Sequence, residues 1–303
     1  MSTARTTIVR SSSATAPTGT TDCGPARIHR APRRRAASRA VATLALAALA
    51  AGGLAACADD AAPGTAGTQG ATSTGATSDA AVTGRLVVLA AASLEPVLTK
   101  LGAELEAAHT GLKIDFSFAA SSALAEQVVA GAPADVLLTA SAATMKTAAE
   151  HVTDQAVFAG NTLVIVTPPD NPGKVANLKD LTNNDLRLAL CAEEVPCGAA
   201  AAQVIEKAGL KVTPDTYSEN VTAALQLAVS DEVDAALVYT TDAKDAGDDV
   251  LTIEFPEAST VVNDYLVATV AEAPNAAAAK AFRDLLASER GRSALAEAGF
   301  RLP

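Results

Sequence analysis

In Arg85-Leu86-Val87-Val88-Leu89-Ala90 the residues after the arginine are an unbroken apolar run of strand length. It leads through Ala91-Ala92-Ser93-Leu94-Glu95-Pro96 into Val97, Leu98, Leu101 and Leu105, which share one helix face. A buried strand, a short hydroxyl-bearing junction and an amphipathic helix over 96–108 form half of an α/β unit. The alternation continues outward from there. Strands are expected at 112–118, 134–139, 162–167, 186–190, near 212–217 and at 235–239, with helices at 123–130, 198–208 and 221–230. The C-terminal part departs from it, with a strand around 261–270 and two helices at 275–287 and 289–298. No internal repeat is visible. This order predicts mainly parallel sheets flanked by helices. The roughly 220 residues from Gly84 to the end suit two lobes of about a hundred residues each.

Composition agrees with a folded body. Of 303 residues, 49% are apolar and 3% aromatic, and 19 Gly with 14 Pro exclude collagen-like and proline-rich disordered chains. The net charge of −11 is unevenly spread: eight Arg and one acidic residue fall in the first 56 positions. From residue 57 onward 15 basic residues face 33 acidic ones, a charge of −18. Such a body repels phosphate backbones, so nucleic-acid binding through a basic face is excluded. Any anion must be held locally.

The N-terminal asymmetry has its own reading. Arg33, Arg34, Arg35 and Arg39 precede an uncharged apolar run over 40–56, the pattern of an export signal. That run closes on Leu54-Ala55-Ala56-Cys57, which resembles the bacterial lipobox. The resemblance implies a signal peptide over 1–56 and a lipidated Cys57 at the start of the mature chain; the alternative is a signal-anchor helix with an incidental cysteine. Residues 57–83, built of Ala, Gly, Thr, Ser and Asp, would form a tether. The body would then sit just outside the cytoplasmic membrane.

In parallel α/β layers a ligand cleft lies beyond the carboxyl ends of the strands, where helix N-termini present unpaired N–H groups. Ser93 is expected in N-cap position at the first junction, and Phe118-Ala119-Ala120-Ser121-Ser122 again puts hydroxyls at a helix start. Singly, each serine reads as an ordinary cap. Together they could aim donors at one anion.

Seven ordered blocks carry a more specific signal. Ala90 to Leu94, Phe118 to Ser122, Ala130 to Asp135, Asn161 to Val164, Val195 to Gly198, Glu219 to Val221 and Leu237 to Tyr239 occur in the order seen in one family. The stretch from about 84 to 303 resembles the substrate-binding proteins of molybdate ABC transporters. That likeness implies two α/β lobes of a type II-like periplasmic-binding-protein fold joined by two crossover strands. Lobe one would be 84–164 plus 253–303, and lobe two 165–252. It further implies oxyanion contacts at Ser93 and Ser121, at the N–H groups of Cys197 and Val221, and at the Tyr239 hydroxyl. Alone, a tyrosine ending an apolar strand reads as a core residue.

The implied protein is no enzyme and needs no cofactor; metal is bound only as the molybdate or tungstate oxyanion. Its partners are an ABC importer permease and, through the lipid anchor, the membrane, with the protein itself a monomer. One block departs from the family pattern: Cys197 stands where a small residue is usual, six positions after Cys191. Outside the membrane such a pair is expected to form a disulfide, worth roughly 2 kcal/mol for so short a loop. A C-x₅-C spacing is not a usual zinc arrangement.

Every contact so implied is a neutral donor. A donor-only cage replaces the hydration of a fully deprotonated dianion and leaves the proton of monohydrogen phosphate without an acceptor. Sulfate should be too small for donors spaced for molybdate. The alternatives are a sulfate, thiosulfate or other oxyanion carrier of the same fold, a structural surface lipoprotein, or an exported serine hydrolase built on Ser93. The hydrolase needs a base, and beyond residue 57 the chain has only His109 and His151 and no G-x-S-x-G.

Overall fold

The computed structural model describes residues 82–303. The expected signal over 1–56, Cys57 and the tether up to residue 81 lie outside the described residues. Val82 already packs against the folded body, and Thr83 O accepts a 2.8 Å hydrogen bond from Asn275 Nδ2, so the fold begins slightly before residue 84.

The described chain forms ten strands and eight α-helices, grouped about two five-stranded sheets. In the first half run β1 (Gly84–Ala91), α1 (Glu95–Ala108), β2 (Leu112–Ala119), α2 (Ser121–Val129), β3 (Val136–Thr139), α3 (Ala142–Thr147) and β4 (Val152–Asn161). Then follow β5 (Leu163–Thr167), β6 (Leu188–Cys191), α4 (Pro196–Lys207), β7 (Thr216–Ser218), α5 (Val221–Val229), β8 (Ala235–Tyr239), α6 (Thr240–Ala246) and β9 (Leu251–Ile253). The chain ends with β10 (Asn263–Val270), α7 (Ala276–Ala287) and α8 (Glu289–Ala298).

The sheets are ordered β2-β1-β3-β10-β4 and β7-β6-β8-β5-β9. In each, four strands run one way and the fourth in order, β10 or β5, runs against its neighbours. Each reversed strand is the one that has just arrived from the other lobe. The chain leaves the first lobe between Asn161 and Leu163 and returns between Ile253 and Asn263. Leu163 and Val164 pair with Tyr239 and Val238 in the second sheet, and Ile253 pairs there with Ile165, so these residues lie across the boundaries expected from sequence.

Why Leu86 to Ala90 reads as an unbroken apolar run is plain from its packing. Leu86, Val88 and Ala90 face the core shared with α1, α7 and α8, while Leu89 faces a second core with Leu124, Val128 and Met145. A strand covered on both faces has no polar side to show. On α1, Val97, Leu98, Leu101 and Leu105 are all buried, each contributing about 1.5–3 kcal/mol by leaving water. Gly102 lets α1 close on β2, since a Cβ there would lie 2.7 Å from Phe116 Cε2. Buried Asp135 fastens the first lobe: its carboxylate accepts from the N–H of Val87 at 2.7 Å and of Asn275 at 2.6 Å.

Four elements carried no clear periodic signal. Alternation in β4 is broken by Asp154 in the left-handed region (φ 54°), and residues 153–157 are exposed on a sheet edge. α3 and α6 span six and seven residues, and β9 only three, too short for a period to register. The strand expected near 212–217 shrinks to Thr216–Ser218.

Candidate functional site

The carboxyl ends of β1, β2, β6 and β8 and the helix starts that follow them meet at one small cavity between the lobes. Ser93, Ser121, Cys197, Val221 and Tyr239 all line it, with Ala and Pro side chains filling most of the remaining wall. It gives the centres of oxygen-sized atoms about 20 Å³, the volume of a sphere of roughly 1.7 Å radius. That is room for a few oxygens around one central atom. No charged side chain lines it among the described residues. Two larger grooves share Ser93 as a wall, but neither reaches Ser121, Cys197 or Tyr239.

The serines do not cap their helices. Ser93 lies inside a 3-10 turn, Ala92–Leu94, whose N-cap is Ala91, and Ser121 is the first residue of α2, whose N-cap is Ala120. The expected N-cap role for Ser93 is thus replaced by another: its Oγ sits 2.7 Å from the Tyr265 hydroxyl. Ser121 Oγ accepts from Ala140 N at 2.9 Å, across to the end of β3. That bond uses one of the two lone pairs of Ser121 Oγ and leaves its proton available to the cavity. The Ser93 proton is likewise available whenever Tyr265 donates to it.

The helix starts are bare in a telling way. The 3-10 turn before α1, α2 and α4 have Ala91, Ala120 and Val195 as N-caps and no side-chain cap bond. By contrast, α3, α7 and α8, which begin away from the cavity, are capped by Ser141, Asn275 and Ser288. First-turn N–H groups have no partner within their own helix, so uncapped starts leave donors for a ligand. In α5, Asn220 Oδ1 takes the Ala223 N–H at 2.9 Å and leaves that of Val221.

Cys191 and Cys197 are disulfide-bonded, tying the last residue of β6 to the first turn of α4. The turn between them is tight: a Cβ on Gly198 would lie 1.9 Å from the Ala192 carbonyl oxygen. Tyr239 ends β8 and is 1% exposed; burial pushes its phenol well above the usual range, so it is a neutral donor at any physiological pH. Its hydroxyl oxygen accepts from Asn263 Nδ2 at 3.0 Å. Beneath it, buried Asp242 accepts from Tyr239 N at 3.2 Å, and loss of hydration lifts its carboxyl to about 7.

Asn263 and Tyr265 gave no sequence signal, being contiguous with nothing else in the site. Asn220 fell only within the Glu219 to Val221 block; an Asn directly before an apolar helix is the signal that could have marked it as an N-cap. His109 and His151 do not line the cavity; His151 lies by a separate groove with Pro133 and Glu150. Among the described residues no group of three or more His, Cys, Asp or Glu is placed to hold a metal ion, and no helix is long and apolar enough to cross a membrane.

Residues 86–301 match the family model of bacterial extracellular solute-binding proteins. The chain is 36% identical over 224 residues to the molybdate-binding protein ModA of Mycobacterium tuberculosis, covering 72% of this chain and 85% of that one. It is 33% identical over 236 residues to ModA of Escherichia coli, covering 72% and 90%. In fold it matches the periplasmic molybdate-binding protein of Azotobacter vinelandii (TM-score 0.64, 20% identity, 72% of this chain and 99% of that one). The sulfate-binding protein SubI of M. tuberculosis is as similar in shape (TM-score 0.63, 18% identity, 72% and 86%). With a two-lobed fold, a cleft of helix starts and relatives of this identity, the chain belongs to the bacterial extracellular solute-binding protein family, alongside the molybdate-binding ModA proteins.

Proposed function

We propose that this protein captures molybdate, and tungstate as well, in the cavity between its lobes and delivers it to the permease of an ABC importer. The observation that carries the reading is the convergence of uncapped helix starts and three hydroxyls on a cavity without a charged side chain. A dianion entering it exchanges water for oriented dipoles that need no reorganisation. Ser93, Ser121 and Tyr239 donate through hydroxyls, and the first-turn N–H groups of Cys197 and Val221 complete the shell. Tungstate, nearly identical in size and charge, meets the same donors.

The lobes, close to 84–161 with 263–303 and 163–253, would close on the anion by a hinge at the two crossovers. Asn161 and Thr162 anchor that hinge: Asn161 Nδ2 donates to Thr241 Oγ1 at 2.8 Å, and Thr162 O accepts from Thr240 N at 2.9 Å. The protein works as a monomer outside the cytoplasmic membrane, held there by lipid on Cys57. Cys57→Ser should release it into the medium.

Calorimetric titration with molybdate, tungstate, sulfate and phosphate tests the reading. Tight molybdate and tungstate binding with weak sulfate and no phosphate binding is expected. Preference for sulfate would make it a sulfate carrier, and no binding of any anion would leave a surface lipoprotein without cargo.

A further inference from the structure

Asn263 opens β10 and is 7% exposed. Its Nδ2 lies 3.0 Å from the Ala140 carbonyl oxygen, 3.0 Å from the Tyr239 hydroxyl oxygen and 3.4 Å from the Pro196 carbonyl oxygen. Ala140 belongs to the first lobe and Pro196 and Tyr239 to the second, so one amide nitrogen touches both. The orientation is fixed by chemistry, because the reversed amide would set its oxygen against two carbonyl oxygens with no hydrogen to give. As it stands, Asn263 Oδ1 is buried without a partner. Two amide hydrogens facing three acceptors, with the amide oxygen orphaned, put the work of this side chain on its donor side.

We infer that Asn263 is a positioning residue for anion capture: by donating to the Tyr239 oxygen across the lobe boundary, it directs the phenolic proton into the cavity and holds Tyr239 as a donor. The same nitrogen donates to the carbonyl of Ala140, whose N–H, on the preceding peptide unit, donates to Ser121 Oγ. With the amide donating to its oxygen, the Tyr239 hydroxyl turns its proton rather than a lone pair toward the cavity, which disfavours monohydrogen phosphate. This inference rests on the reading of the cavity as an oxyanion site.

The test is a double-mutant cycle on the full chain, Asn263→Ala in the native and Tyr239→Phe backgrounds, with molybdate and phosphate titrated by calorimetry. In the native background Asn263→Ala should weaken molybdate binding about tenfold, and in Tyr239→Phe less than about twofold. Asn263→Asp, whose carboxylate would accept the Tyr239 proton and repel the anion, should weaken it further and narrow the molybdate-to-phosphate ratio. If Asn263→Ala does not fold, Asn263→Ser, which keeps one donor, serves the same cycle. Equal losses in both backgrounds, or none in the native one, overturn the role of Asn263. A native chain that binds no oxyanion overturns the site reading itself.

Discussion

Tyr239 illustrates how much one hydroxyl decides. Tyr239→Phe removes a hydrogen bond to a charged ligand, so molybdate affinity should fall by about 1.5–3 kcal/mol. It also removes the buried bond from Asn263, so the apo protein should lose about 1 kcal/mol of stability; calorimetry and a melt of the apo protein check both. Its neighbour Asp242 brings a pH dependence. Burial lifts its carboxyl to about 7, whereas an unfolded Asp titrates near 3.9, so between those values the folded chain keeps a proton that the unfolded chain has released. Stability therefore falls as pH rises from about 4 to 7 and levels off above. A dianion in the adjoining cavity favours the protonated carboxyl still more, so molybdate affinity should weaken as pH passes upward through 7. Asp242→Asn should flatten both profiles, read by thermal melts and titrations between pH 5 and 8. At this scale the strand-to-helix junctions pointed to Ser93 and Ser121, while Cys197, Val221 and Tyr239 were reached only through ordered blocks shared with a family. Asn263 and Tyr265 stayed hidden because their partners lie far away in the chain: Ser93 and Tyr265 are 172 residues apart.

Elements are where the sequence was most legible, and for a physical reason. Strands covered on both faces write themselves as apolar runs, the edge strand β2 as a two-residue alternation and α1 as a 3.6-residue stripe, so β1, β2, β5, β8 and the longer helices were visible. What stayed illegible was β4, whose alternation Asp154 interrupts, and the short α3, α6 and β9. The caps were half legible: a serine at a helix start suggests capping, yet here Ala91 and Ala120 stand at the cap and free the first-turn donors. The disulfide belongs to this scale as well. Replacing Cys191 and Cys197 together by Ala should lower stability by roughly 2 kcal/mol in chemical denaturation. It should also weaken molybdate binding, because the start of α4 is no longer fixed to β6. Gly198→Ala should be worse for folding, since its Cβ would meet backbone that has no room to give.

For the molecule as a whole, the cavity exists only where both lobes contribute, Ser93 and Ser121 from one and Cys197, Val221 and Tyr239 from the other. Ligand binding is thus linked to the folding of both. Molybdate at a hundred times its dissociation constant should add about 2.7 kcal/mol and merge any separate lobe transitions into one calorimetric peak. The crossovers have a further, mechanical consequence. Because the second lobe is an uninterrupted excursion from the first, the two ends of the described chain both emerge from the first lobe. A pulling force applied at residues 82 and 303 loads the first lobe and bypasses the second until the first gives way. Optical-tweezer traces should therefore show a fixed order of rupture, with the outer lobe yielding before the inserted one.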